Sequence, residues 1–86
     1  MNINELIANI KKKLKKDIQI ENIIIEDKSF LHKNHATNQK DKFHLKISLE
    51  SDELKKMSRI DSNKKIYNIL SEEMKLYIHS LQILIN

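Results

Sequence analysis

Cysteine, glycine and proline are all missing from this chain of 86 residues. Without cysteine there can be no disulfide, no thiolate-bound zinc and no thiol nucleophile, so the fold must be held by packing alone. Without glycine there can be no Walker-type phosphate loop, no dinucleotide fingerprint and no Gly-x-x-Gly clamp of the kind a KH RNA-binding domain uses. Long apolar runs are missing too: nothing approaches the ~20 residues of a membrane span. The polar start Met1-Asn2-Ile3-Asn4 lacks the apolar core of a signal peptide. These absences lead us to expect a soluble, cytoplasmic protein, with residues 1–86 forming one domain around a single modest core.

What is present is a mild basic excess. Lys and Arg number 16 against 12 Asp and Glu, a formal charge of +4, and the bias comes mainly from lysines 11, 12, 13, 15 and 16. Such a balance permits a nucleic acid or an acidic partner and demands neither, and a solvated helix face is the plainer account of it.

Hydropathy patterning divides the chain into six elements. Ile3, Leu6, Ile7, Ile10 and Leu14 recur at the spacing of one helical face, predicting a helix over 3–16, with Asn2 and Glu5 as a capping-box-like start. The β-branched run Ile23-Ile24-Ile25 predicts a strand over 20–26. Residues 27–42 are polar and aperiodic and read as a long loop carrying His32 and His35. From Phe43 to Glu50 the alternation is strict, with Phe43, Leu45, Ile47 and Leu49 on one face of a strand. Ser51-Asp52-Glu53 opens a short helix to about Met57; Ser58 to Ile60 reads as a turn. Asp61 or Ser62 then caps a longer helix with a stripe of Ile66, Ile69, Leu70 and Met74. Lys75 and Leu76 lead into a last strand over 77–85, in which His79, Leu81, Ile83 and Ile85 share a face.

The order helix, strand, strand, helix, helix, strand lets the first two strands pair as a hairpin. The roughly 27 residues to the third strand leave room for a crossover to a parallel neighbour. His44, His79 and the loop bearing His32 and His35 then gather at one edge of the molecule. Each ring also has a purely structural reading: His44 as a surface group on the polar face of its strand, His32 and His35 as ordinary loop residues, His79 as a core histidine satisfied by backbone. A site made of histidines alone for a single metal ion is a further alternative.

Five segments, in order, resemble the BolA family: D-K-S-F-L-H at Asp27 to His32, F-H-L-K-I at Phe43 to Ile47, Ser51, the run from Ile66 to Met74 containing L-S-E-E-M, and I-H-S-L-Q-I at Ile78 to Ile83. The resemblance implies an α/β (α+β) fold akin to the class II KH topology, αββααβ, with helices packed on a three-stranded mixed sheet. It also implies a non-enzymatic adaptor, monomeric when alone, that pairs with a monothiol glutaredoxin and shares a bridging [2Fe–2S] cluster with it and with glutathione. Carried over residue by residue, the cluster ligands fall on His79 and on His32, with His35 as a competing loop donor. The chemistry agrees, because such clusters need thiolates and a partner must supply them. Neutral imidazole is the binding form, so acidification toward the unperturbed histidine pKa of ~6.5 would weaken the site.

The chain departs from the family pattern where Ser62-Asn63-Lys64 stand for a common Arg-His-Arg, where Leu54-Lys55-Lys56 stand for Phe-x-Gly, and at Leu45, where phenylalanine is usual. The family's other proposed activity, transcriptional regulation through a helix-turn-helix-like pair, would use residues 51–75. There the lost arginines remove much of the reach toward DNA, while Lys55, Lys56, Arg59, Lys64 and Lys65 still form a basic patch.

Overall fold

Side-chain caps open the first three helices of this fold. The computed structural model describes residues 1–29 and 42–86. Asn2 accepts the Glu5 N–H through its side chain at 2.8 Å and returns an amide hydrogen bond to the Glu5 carboxylate at 3.0 Å. This reciprocal cap starts α1 (Ile3–Asp17), which lays Leu6, Ile10 and Leu14 against the core. Strand β1 (Asn22–Asp27) begins two residues later than the β-branched run predicts, since the chain is still turning at Gln19 to Glu21. The Gln19 carbonyl accepts the Ser51 hydroxyl and the Glu21 N–H donates to the Glu50 carbonyl.

Strand β2 (Phe43–Glu50) occupies its predicted span and lies in the middle of a sheet ordered β1-β2-β3, antiparallel to β1 and parallel to β3 (Ile78–Ile85). The topology is therefore the mixed three-stranded sheet that the sequence implies. Ile23, Ile25, Leu45, Ile47, Leu49 and Ile78 pack with the α1 stripe and with Leu54, Ile66 and Leu70 from the later helices. The helices cover one face. The other carries Ile24, Ser48 and Leu84 in one cross-strand row, with Ile24 and Leu84 exposed.

Between β2 and β3 the helices differ from expectation. The first, α2 (Asp52–Lys55), is a single turn capped by Ser51. Ser58, expected in a turn, instead accepts the Asp61 N–H and caps α3 (Arg59–Ile69), so Asp61 is a first-turn residue and not the cap. The last helix is also not continuous. It breaks at Leu70, which stays fully buried at the join, and Ser71–Leu76 form a separate α4.

Polar ties brace the layers. Glu53 accepts the Gln19 N–H on one oxygen and the Lys65 ammonium, at 2.8 Å, on the other. The Lys65 hydrogen bond, then that of Gln19, hold its carboxyl below the ordinary carboxylate value. This pair contributes stability above that ordinary value and loses it as pH falls through the lowered one. Lys13 reaches from α1 to Glu73 of α4 at 2.6 Å, with Glu73 buried and its Oε1 lacking a partner among the described residues. The hydrogen bond to Glu73 raises the Lys13 pKa above 10.5, so its stabilisation is complete below that value and disappears only as pH rises beyond it.

The unmatched Glu73 oxygen makes removal of the cation the damaging half of this pair. Lys13→Met is expected to cost about 1–2 kcal/mol, less than a fully buried pair because the lysine is partly solvated. Lys13→Met combined with Glu73→Met should return to within about 1 kcal/mol of the parent. Urea unfolding at neutral pH measures both, and a double variant no more stable than Lys13→Met would contradict the account.

Candidate functional site

Strict alternation along β3 would put His79 on the core face with Leu81, Ile83 and Ile85. The structure does not keep that alternation. Phe43 pairs with Ile78 but His44 pairs with Ser80, so β3 carries one residue more than β2 at this point. An extra residue in one strand inverts the faces on one side of it. Ile78 therefore turns into the core, 2 % exposed, and His79 and Ser80 both lie exposed beside His44. The expectation that His79 shares the apolar face is corrected by this bulge. A sequence sign of it exists: Ile78 and Leu81 are both apolar and three residues apart, a spacing that an unbroken strand cannot bury on one face.

His44 is the hub of the group. Though on the polar side of β2, it is only 6 % exposed, against the expectation of a solvated surface histidine. Its ring centroid lies 4.9 Å from that of His79, with the planes tilted by 58°, and its Nδ1 is 2.6 Å from the Ser80 hydroxyl. The backbone of His44 holds the start of the 27–42 segment. Its carbonyl accepts the Lys28 N–H at 2.7 Å, and its N–H donates to the Ser29 hydroxyl at 3.1 Å. Asp27 in turn accepts the Ser29 N–H at 2.9 Å, a short side-chain turn that fixes the serine. Asp27 and Ser29 thus anchor the segment's entry at the mouth of β2, beside the backbone of His44. Ser29 and Ser80 were not singled out from sequence, since a serine's role here depends on which backbone group the register brings to it.

His32 and His35 lie outside the described residues. The basic positions sit at the opposite end of the sheet. Lys55 and Lys56 close α2, and Arg59 and Lys64 stand exposed on α3. Lys65 is half-buried and paired with Glu53, so it contributes to the patch less than the other four. Among the described residues no group of three or more His, Asp or Glu side chains converges as a metal site, and no helix is long and apolar enough to cross a membrane.

Ser80→Ala tests the hub. Loss of the hydroxyl partner to a buried imidazole is expected to cost about 1 kcal/mol. It should also move the ¹⁵Nδ1 resonance of His44, read by imidazole NMR, while leaving the Ile83 and Ile85 amide signals in place. An unchanged Nδ1 resonance would show that the contact is not held in solution.

Residues 14–86 match the model of the BolA-like protein family. The chain is 31% identical over 72 residues to the DNA-binding transcriptional regulator BolA of Haemophilus influenzae, with 84% of this chain and 67% of the relative covered. It is 27% identical over 79 residues to the chloroplastic protein BOLA1 of Arabidopsis thaliana, matching 88% of its own length but spanning only about half of that relative, 49%. Among solved structures, the BolA domain of SufE1 from Arabidopsis thaliana superposes with a TM-score of 0.76 at 26% identity, over 92% of this chain and 87% of that one. With the family model covering most of its length and the fold shared with solved BolA domains, the chain belongs to the BolA-like family.

Proposed function

We propose that this protein is an adaptor in iron–sulfur cluster assembly, trafficking or iron regulation. In this reading it pairs with a monothiol glutaredoxin and lends imidazole to a [2Fe–2S] cluster held between the two proteins. One observation carries the reading: the exposed ring of His79, turned out of the core by the bulge in β3 and steadied against His44. The donor chemistry fits. The chain has no thiolate of its own, so in this reading the second protein supplies the sulfur ligands. In this arrangement His79 is one ligand and His32 or His35 the other. His44 and Ser80 orient the His79 side of the site, and the Asp27–Ser29 turn delivers the ligand-bearing segment to it. The protein acts by binding and makes no bond in a substrate.

The test is reconstitution with a monothiol glutaredoxin, iron, sulfide and glutathione. His79→Ala is expected to change the visible absorption and circular dichroism of the complex, and only one of His32→Ala and His35→Ala should do the same. A spectrum indifferent to His79→Ala would overturn the assignment.

A second reading, a DNA-binding regulator, is favoured by the exposed Lys55, Lys56, Arg59 and Lys64 on α2 and α3 and by the similarity to the DNA-binding transcriptional regulator BolA of Haemophilus influenzae. Gel-shift titration at two salt concentrations tests it. Specific binding should survive competitor DNA, and Lys55→Ala should lower the salt slope by about one unit if that residue meets a phosphate. Binding that ignores sequence and collapses with salt would reduce this reading to charge attraction.

A further inference from the structure

Strand β3 is an edge strand, and its two ends have different surroundings. The Asn86 N–H donates to the Leu49 carbonyl, so the even-numbered backbone groups from Ser80 onward face β2, and those of Leu81, Ile83 and Ile85 face the open edge. Tyr67 of α3 covers the first of these, its hydroxyl donating to the Leu81 carbonyl at 3.0 Å. Among the described residues no such hydrogen bond covers Ile83 or Ile85. Beside them the α2–α3 corner forms a groove of about 430 Å³, with Leu54 and Met57 next to Ile83 and Ile85, and with Lys55 and Arg59 among its walls.

We infer that this groove is a docking site for an extended peptide segment of a partner protein, which adds as a fourth strand beside Ile83–Ile85 with an acidic side chain toward Lys55 and Arg59. The inference does not depend on cluster binding. Two outward N–H and C=O sets in strand geometry, about 7 Å apart, match the repeat of another strand and not that of a phosphate backbone. The apolar side chains accept the alternate residues of such a strand. The two cations select carboxylate, and among the described residues no aromatic side chain lines the groove to stack a base. Uncovered edges are normally blunted, and here Tyr67 blunts the edge only up to the point where the groove begins. The groove and His79 are separated by the length of β3, so both can be occupied together.

The probe is a synthetic peptide alternating valine with aspartate, titrated into the ¹⁵N-labelled full chain. The expected result is movement of the Ile83 and Ile85 amide signals together with slowed hydrogen exchange at both. A lysine-for-aspartate peptide should bind at least about tenfold more weakly, as should a peptide N-methylated at its strand-facing positions. Arg59→Glu should weaken the acidic peptide similarly, whereas Lys16→Glu, a charge reversal on α1, should not. Three outcomes overturn the inference: oligothymidylate protecting these amides while the acidic peptide does not; peptide shifts confined to Lys55 and Arg59 with no exchange protection; or self-association that already protects Ile83 without peptide, which would give the edge to a second copy.

Discussion

The register between β2 and β3 is the constraint on which the rest of the molecule depends. Had the strands run in step, the imidazole of His79 would lie under the helices, where a polar ring must find a hydrogen bond or cost stability. One additional residue removes the conflict. Ile78 takes the core position beneath the sheet, and the two residues after it are both presented to His44. The same step preserves the apolar face farther along, because Leu81, Ile83 and Ile85 still oppose Leu45, Ile47 and Leu49. Anchoring the core and exposing an imidazole are thus two results of one local irregularity, which is why bulges recur beside functional sites.

A chain that lacks glycine has no strain-free route to left-handed backbone, and among the described residues no positive φ occurs. Side-chain oxygens do the turning instead. Asn2 opens α1, Ser51 opens α2, Ser58 opens α3, and Asp27 bends the exit from β1. Ser51 is the most connected of these. Fully buried, it accepts the Leu54 N–H and donates to the Gln19 carbonyl, so it joins the start of the crossover to the end of α1. Replacing flexible residues by capping ones narrows the unfolded ensemble and makes each corner depend on an identifiable hydroxyl or carboxylate.

This also explains what was legible in the sequence. The α1 stripe and the alternation of Phe43 to Glu50 involve many residues voting for one period, and both elements lie where the pattern puts them. Parallel pairing of β3 with β2 was allowed by the length of the crossover, and it was the BolA resemblance that implied the mixed sheet. Less legible were features decided by one residue. Ser58 was as good a cap as Asp61, and only the packing of Ile66 and the buried Ser62 selects the earlier start. The break at Leu70 has no glycine, proline or β-branched run to announce it. His44 was read as a surface group because alternation reports which face a residue occupies, whereas its burial depends on what other segments bring against that face, His79 and Ser80 of the neighbouring strand among them.

The two ends of β3 offer different chemistry for different reasons. At the start of the strand it is side chains that are on offer: imidazole nitrogens and a neighbouring hydroxyl, close to the entry, held by Asp27 and Ser29, of a stretch whose sequence carries two more histidines. At its end the side chains are apolar, and the outward backbone of Ile83 and Ile85, flanked by fixed cations, is what remains to be recognised. On the adaptor reading proposed above, a partner at the first end would be selected by the donor atoms it brings to a shared coordination sphere. On the docking inference, a partner at the second would need only an extended conformation and negative charge, requirements that many sequences meet. The two surfaces share no residue, so a partner at one end need not displace a partner at the other.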